Sequence, residues 1–278
     1  LKEKQSLISE EITVSHPEEK TLKINAVPII RNDVLEGAVL VFHDITELRR
    51  LERVRQDFVA NVSHELRTPI SSIKGYAETL LEGAIDDKDN VREFISIIYQ
   101  DSNRLANLID DLLDLAKIES GKMKMVFVPL DIKPILDRSL GVLEKPIKGK
   151  QLSVSLNIPD GIPKVLADDT RIAQVFLNLL DNAVKYTSDG GSIKVSISLN
   201  DKFVQVDVSD TGMGIPEQDL PRIFERFYRV DKARSRELGG TGLGLSIVKH
   251  IVLSHGGQVW VKSELGQGTT FSFTIPHA

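Results

Sequence analysis

The stretch that organises this chain is Phe58-Val-Ala-Asn-Val-Ser-His-Glu-Leu-Arg-Thr-Pro-Ile70. It belongs to an apolar series with three- and four-residue spacing, which predicts one face of a helix. That series is Leu51, Val54, Phe58, Val62, Leu66, Ile70 and Ile73. His64 falls outside it and should face solvent or a partner, with Glu65 next and Thr68 one turn further on. A neutral imidazole is a competent nucleophile, and an adjacent carboxylate can fix its tautomer. Taken alone, the pattern fits either a catalytic histidine or an ordinary exposed His-Glu pair.

The bulk composition narrows the class of protein. A chain of 278 residues is long enough for two ordinary domains and part of a third, and its 41% hydrophobic and 27% charged residues are typical of a globular protein. The net charge of −5 gives no reason to expect nucleic-acid binding. The absence of cysteine excludes disulfides and thiolate chemistry. No apolar run reaches the roughly 18 residues of a membrane span, and a chain that begins at Leu1 is expected to be a fragment.

The first 45 residues carry the pattern of short strands. Alternating and β-branched residues predict strands at 21–30 and 37–43, with Asn32 and Asp33 as the turn between them. A hairpin of this size cannot hold a core by itself. The sequence Asp44-Ile-Thr-Glu resembles the C-terminal end of a PAS sensor domain, where it leads into a signalling helix. We therefore expect residues 1–45 to be the remnant of such a domain.

From Thr46, a predicted N-cap, the periodicity becomes helical. We predict one helix over residues 46–82 and, after a turn, a second over 89–119. The second helix carries leucines three and four apart, as in a bundle seam: Leu105, Leu108, Leu112 and Leu115. Because a lone hairpin buries little surface, residues 46–122 are predicted to dimerise into a four-helix bundle. The alternative is that the hairpin packs on the domain that follows.

The region from 123 to 278 mixes strands with helices. Apolar strands are predicted at 152–156, 192–197, 203–208, 258–261 and 270–275, and helices at 132–143, 169–185 and 243–254. This order predicts an α/β sandwich with helices on one face of a mixed sheet. The fold class of the whole chain is therefore multidomain α+β.

A polar helix face is the first candidate site in this region. Asn178, Asn182 and Lys185 are three and four residues apart, so they share one face of the predicted helix. Asparagine is a poor helix former that offers both an amide donor and a carbonyl acceptor. Two asparagines beside a lysine suit Mg²⁺ and phosphate oxygens. A merely solvated polar face explains the same pattern equally well.

Two glycine-rich stretches follow. In Asp210-Thr-Gly-Met-Gly214 the glycines allow close backbone approach, and Asp210 is able to accept a hydrogen bond from an exocyclic amine. Gly240-Thr-Gly-Leu-Gly244 leads into a predicted helix, whose N-terminal amides suit a polyphosphate. The order of these elements is not that of a Rossmann unit, and the P-loop ending is absent.

Between the glycine stretches lies an aromatic and basic segment, residues 222–236. We predict that it forms a mobile lid over a nucleotide, anchored to the domain by Phe224 and Phe227. Arg229, Arg234 and Arg236 are candidates to reach the γ-phosphate. For Arg234 and Arg236 the alternative is solvated surface.

Together these stretches resemble the boxes of sensor histidine kinases. Residues 64–69 are similar to the H box, 178–185 to the N box, 210–214 to the G1 box, 224–228 to the F box, 240–244 to the G2 box and 266–271 to the last glycine box. They occur in the family's order, from about residue 46 to the end. The hairpin and lid look closest to the phosphate-regulon (PhoR-type) sensor kinases of Gram-positive bacteria, with the cell-wall-regulating kinases as near rivals.

This resemblance implies an ATP-binding domain of the Bergerat (GHKL) type and a role for each matching residue. His64 would accept the γ-phosphoryl group, Glu65 would orient or deprotonate its ring, and Thr68 would position water for dephosphorylation of a response regulator. Asn182 would bind Mg²⁺ beside Asn178, Lys185 and Arg229 would contact phosphates, and Asp210 would bind the adenine amine. The remaining nucleotide-binding residues would be Tyr186, Gly212, Gly214, Gly240, Thr241, Gly242, Leu243, Gly244 and Thr270.

The resemblance also implies a homodimer, a response-regulator receiver domain as partner, and the cytoplasmic portion of a membrane-anchored bacterial sensor, with any membrane contact made through a missing N-terminal region. Two alternatives stand beside it. ATP-hydrolysing relatives of the chaperone, gyrase or mismatch-repair kind carry a water-activating Glu one turn before the metal-binding Asn. This chain has Asn178 there, which cannot act as a base and so favours the kinase. The other alternative is a dimeric nucleotide-binding scaffold without chemistry.

Overall fold

The computed structural model describes residues 8–15, 19–32, 34–87, 90–120, 124–231 and 240–278. The chain divides into two compact units, Leu1–His64 and Glu65–Ala278. None of the helices in the described ranges is both long enough and apolar enough to cross a membrane.

The first unit contains a three-stranded antiparallel sheet with β2 in the centre, formed by β1 (Ile8–Val14), β2 (Lys20–Arg31) and β3 (Val34–Asp44). The predicted strands at 21–30 and 37–43 are confirmed. β1 was not predicted, because its central Ser-Glu-Glu interrupts the apolar pattern. Asn32 has the left-handed φ of 49° that suits the predicted turn, whereas Asp33 lies outside the described residues.

The junction between β3 and the long helix α1 (Thr46–Leu81) is held by side-chain hydrogen bonds. Asp44 Oδ1 accepts from the Thr46 amide at 3.0 Å and from its hydroxyl at 2.6 Å, and these bonds lower the pKa of Asp44. Thr46 Oγ1 in turn accepts from the Thr21 amide on β2. The carbonyl of Ile45 accepts the first helical bond, from Arg49. The prediction of Thr46 as N-cap is therefore wrong, because Thr46 is already helical and its hydroxyl joins β2 to Asp44.

The second unit begins with the rest of α1, followed by a 3₁₀ turn (Ala84–Asp86) and α2 (Val91–Glu119). The rings of Tyr76 and Phe94 lie 5.3 Å apart, and Glu65 pairs with Arg104, which is the pairing of an antiparallel hairpin. The predicted helix bounds are confirmed to within two residues. The leucine seam is the least exposed side of this part of α2, with Leu108 and Leu115 buried.

The remainder of the second unit is an α/β sandwich, as predicted. Its strands are β4 (Val128–Leu130), β5 (Ser153–Asn157), β6 (Val165–Ala167), β7 (Ser192–Asn200), β8 (Phe203–Asp210), β9 (Val259–Glu264) and β10 (Gly268–Pro276). The mixed sheet has the order β5-β7-β8-β10-β9, in which only the β5–β7 pair is parallel. A small sheet pairs β4 with β6. The helices are α3 (Ile132–Val142), α4 (Glu144–Gly149), α5 (Asp169–Tyr186) and α6 (Gly244–Ser254), with a 3₁₀ helix at Glu217–Arg222.

The core lies between the helical layer and one face of the mixed sheet. Alternate residues of β7 and β8 are buried, whereas β10 is buried at nearly every position. Phe176 of α5 meets Phe273 of β10 edge to face with centroids 5.6 Å apart. Each buried aromatic side chain of this kind contributes about 1.5–3 kcal/mol through removal from water. Because the apolar face of α5 is buried in this core, the opposite, polar face of the helix points away from the core. The buried residues of that apolar face are Ile172, Val175, Phe176, Leu179, Leu180, Ala183 and Val184.

Candidate functional site

A cavity of about 620 Å³ opens beside the polar face of α5. Its walls come from α2, α5, the end of β8, residues 223–231, the second glycine stretch and β10. Predicted site residues that line it are Asn178, Asn182, Lys185, Tyr186, Asp210, Gly214, Arg229, Gly240, Thr241, Gly242 and Gly244. Lining residues that the sequence did not single out include Asn107, Asp110, Asp111, Asp181, Met213, Ile215, Thr269 and Phe271.

The polar face of α5 supplies one wall. Lys185 Nζ lies 2.6 Å from Asp181 Oδ2, an i,i+4 pair that holds the ammonium group at the cavity edge. Asn178 packs against the start of α6, where a Cβ added at Gly244 would lie only 2.8 Å from the Asn178 amide oxygen. A side chain at Gly244 would therefore displace Asn178.

Asp210 closes another part of the cavity at the end of β8. Burial raises the pKa of its carboxyl, and hydrogen bonds from the amides of Gly212 and Thr269 oppose that rise. The Gly212 amide donates to Asp210 Oδ1 at 2.8 Å. Gly212 itself lies behind the wall, where a Cβ would come within 2.6 Å of the Tyr186 carbonyl oxygen. It thus supports Asp210 from behind, whereas Gly214 lines the cavity directly.

The second glycine stretch is hydrogen-bonded to the described part of the aromatic and basic segment. Gly242 has φ +74°, and a Cβ there would meet the Cα of Phe227 at 2.9 Å. The Phe227 amide donates to the Gly242 carbonyl at 2.8 Å, while Phe227 itself has a left-handed φ of 60°. Phe224 meets Phe271 edge to face, which confirms its predicted role as an anchor. Arg234 and Arg236 lie outside the described residues.

Besides Gly212, two predicted nucleotide-binding residues, Leu243 and Thr270, do not line the cavity. The side chain of Leu243, the residue just before α6, is fully buried in the core. Thr270 lies on the face of β10 that points away from the cavity, where its hydroxyl donates to the Ser209 hydroxyl on the neighbouring strand β8. Thr269 takes its place at the cavity, since adjacent strand residues face opposite sides.

Helix α2 contributes an acidic wall that no local pattern in the sequence predicts. The Thr241 hydroxyl donates to Asp111 Oδ2 at 2.8 Å, which joins the glycine stretch to the hairpin. Burial raises the pKa of Asp111, helped by the charges of Asp114 and Asp110 and opposed by the Thr241 bond. One turn along, Asp114 accepts hydrogen bonds from side chains of α5. The hairpin is therefore docked on the cavity rim through carboxylates.

Glu65 makes a second link between hairpin and cavity. Its Oε2 accepts from Arg229 Nη2 at 2.8 Å and from Arg104 Nη2 at 3.2 Å. His64 and Thr68 lie on exposed positions of α1, as predicted for His64. In the described ranges, no cluster of three or more His, Cys, Asp or Glu residues is arranged to hold a metal ion. The amide oxygen of Asn182 nevertheless fits Mg²⁺, which commonly takes one or two protein oxygens together with substrate phosphates and water.

Comparison with known proteins gives two family matches. Residues 54–121 match the "His Kinase A (phospho-acceptor) domain", and residues 167–278 match the "Histidine kinase-, DNA gyrase B-, and HSP90-like ATPase". Two solved structures are similar over most of the chain. Histidine kinase ThkA in complex with response regulator protein TrrA has a TM-score of 0.66 and 26% identity, over 99% of this chain and 80% of that one. Full-length ShkA in complex with AMPPNP has a TM-score of 0.60 and 30% identity, over 80% of this chain and 46% of that one.

Curated relatives are similar over most of this chain. The sensor histidine kinase WalK of Bacillus subtilis is 39% identical over 92% of this chain, which spans 42% of that relative's length. The sensor-like histidine kinase SenX3 of Mycolicibacterium smegmatis is 36% identical over 95% of this chain and 69% of its own length. On this evidence the chain belongs to the sensor histidine kinase family.

Proposed function

We propose that this chain transfers the γ-phosphoryl group of ATP to His64 and from there to an aspartate of a response-regulator receiver domain. In the first step a ring nitrogen of His64 forms a bond to the γ-phosphorus, the bond to the ADP oxygen breaks, and the ring loses its nitrogen-bound proton. Glu65, the next residue, accepts or directs that proton. Complexes of relatives with AMPPNP and with a response regulator support both halves of the proposal.

The observation that carries this proposal is the convergence of distant motifs on one cavity. Asp210 offers a carboxylate to an adenine amine, the amides around Gly240 and Gly242 suit phosphates, and Lys185 and Arg229 add positive charge. Asn182, with Asn178 beside it, would hold Mg²⁺, which when bound neutralises phosphate charge and aligns the γ-phosphoryl group. Tyr186 completes the wall.

Asn178 separates this proposal from simple ATP hydrolysis. Its amide lines the cavity one turn before Asn182, at the position where the hydrolytic relatives are expected to carry a water-activating Glu. An amide cannot accept a proton from water at neutral pH, so bound ATP should await another nucleophile. His64 supplies that nucleophile.

The remaining assignments are part of the same proposal. Residues 1–45 would be the remnant of a PAS-like domain, 46–122 the dimerisation and phosphotransfer hairpin, and 123–278 the catalytic domain. The homodimer would form through exposed apolar residues of the hairpin such as Ile95, Ile109 and Leu113. Thr68 would position water for regulator dephosphorylation, and residues 71–81 and 98–107 would read the regulator. A specifically PhoR-type identity stays a prediction.

The test is incubation of the chain with Mg²⁺ and γ-labelled ATP. We expect an acid-labile, alkali-stable label in the wild type and none in His64→Gln. His43→Gln, an exposed histidine on β3, is the matched control and should label normally. Label that persists in His64→Gln would contradict the assignment of His64. Phosphate release without any protein label would instead support the ATPase alternative.

A further inference from the structure

Glu65 has two cationic partners that come from different parts of the second unit. Arg229 belongs to the aromatic and basic segment and Arg104 to α2, and both guanidinium groups donate to the same oxygen, Oε2. The side chains are well shielded, with 5% exposure for Arg229 and 14% each for Glu65 and Arg104. Neither of these two hydrogen bonds involves Oε1. The arrangement therefore leaves one carboxylate oxygen of Glu65 outside the two ion pairs.

The cluster of Glu65, Arg104 and Arg229 holds two positive charges against one negative charge. A partly buried excess charge favours a further anion nearby, because the low local dielectric strengthens the attraction. Arg229 is the member that lines the cavity, and its Nε is buried without a hydrogen-bond acceptor. A phosphate oxygen would satisfy that donor. Arg229 is thus the member of the cluster that a nucleotide would recruit.

Arg104 is placed differently. It lies on α2 one turn before the buried Leu108, and it does not line the cavity. The hairpin is held together by the Tyr76–Phe94 ring contact, so Arg104 and Glu65 belong to one packed element. When Arg229 turns to a phosphate, the Arg104–Glu65 pair is left with balanced charge. A single carboxylate with no cationic partner there would be costly at 14% exposure.

From these contacts we infer that Arg104 is a positioning residue for autophosphorylation. When Arg229 leaves Glu65 to bind the γ-phosphate, Arg104 still holds Oε2 of Glu65. The carboxylate of Glu65, the residue after His64, therefore keeps its orientation. This inference rests on the proposed function. It assigns the two arginines separate tasks, since Arg229 would bind nucleotide and Arg104 would not.

The experiment measures autophosphorylation rate at saturating Mg·ATP and, separately, the Kd for AMPPNP by titration calorimetry. For Arg104→Gln we expect a rate about tenfold lower or more, since a misplaced catalytic group is costly, with Kd unchanged. Arg104→Lys keeps the charge and should recover part of the rate. The double variant Glu65→Gln/Arg104→Gln should be no slower than Glu65→Gln, because both remove the same interaction. Arg92→Gln, an exposed arginine on α2, is the matched control.

The outcomes separate the two hypotheses. Wild-type labelling with an unchanged rate in Arg104→Gln would overturn the positioning role and leave the proposed function intact. Additive losses in the double variant, or a Kd raised in parallel with the fall in rate, would also overturn it. Absence of label in the wild type would overturn both. If Arg104→Gln melts early, the rates of Arg104→Lys and of its double variant with Glu65→Gln decide the question.

Discussion

The three-stranded sheet of the first unit and the five-stranded sheet of the second unit are built from similarly apolar strands, but they differ in how far those strands are buried. In the five-stranded sheet, Val206, Val208 and Phe273 are buried beneath the helical layer. In the three-stranded sheet, four consecutive residues of β3, Val39 to Phe42, are all exposed by about half. Because consecutive strand residues face opposite sides, both faces of β3 are open in the described part of the chain. An apolar strand sequence alone therefore does not indicate which sheet packs into a core.

The sharpest test compares two phenylalanines, one from each sheet. Phe273 is 0% exposed and Phe42 is 56% exposed. Phe273→Ala should lower the free energy of unfolding by about 3–5 kcal/mol, because it leaves a cavity against Phe176. Phe42→Ala should cost less than about 1 kcal/mol. Urea unfolding followed by circular dichroism, with Trp260 on β9 reporting the five-stranded sheet, measures both; equal losses would break the comparison.

The second test asks whether a substitution in the cavity can abolish autophosphorylation without lowering the stability of the α/β sandwich. Asn182→Asp adds negative charge where phosphates and Mg²⁺ would bind, and we expect autophosphorylation to fall about 100-fold or more. The unfolding midpoint should change little, since Asn182 lies on the polar face of α5. Asn200→Asp, at the exposed end of β7, is the matched control and should label normally. Wild-type labelling by Asn182→Asp would remove the metal assignment.

Much of the α/β sandwich was predictable from sequence, for a physical reason. A strand or helix that buries one face must repeat its apolar residues, so the long elements of the sandwich were found to within a few residues. β1, β4 and β6 were missed because each is either interrupted by polar residues or only three residues long. The resemblance implies Thr270, whereas Thr269 lines the cavity, because a shift of one residue reverses the face of a strand.

The contacts across the cavity rim were not predictable. Asp111 with Thr241, and Glu65 with Arg229, join residues far apart in the chain, and no local pattern encodes how the hairpin docks. The same is true of two residues that stabilise the helical layer. Lys150 and His255 carry no motif in the sequence, and their roles emerge only from the packing around α5.

Lys150 tests that helical layer directly. Its Nζ donates to the carbonyls of Val184, Lys185 and Thr187 at 2.9–3.0 Å, at the C-terminal end of α5. A charged donor to free helical carbonyls contributes about 1.5–3 kcal/mol, so Lys150→Met should lower the unfolding free energy by that order. Lys148→Met is the matched control, because the exposed ammonium of Lys148 forms an i,i+4 surface pair with Glu144, and it should change the unfolding free energy by less than about 0.5 kcal/mol. If both substitutions lower the unfolding free energy equally, the three hydrogen bonds of Lys150 do not contribute to stability.

His255 gives the smallest expected effect, and it depends on pH. Burial lowers the pKa of His255, against the Ile251 hydrogen bond and the charge of Asp168, which raise it. Its Nε2 accepts from the Asp168 amide at the start of α5, a bond that requires the neutral ring. Below the unfolded pKa of about 6.5, the unfolded chain binds a proton that the folded chain resists, so stability falls as pH falls further. The stability advantage of wild type over His255→Gln should therefore shrink between pH 7.5 and pH 5.5 in urea unfolding. A difference that stays constant over that range would mean that the ring does not link the helical layer to pH.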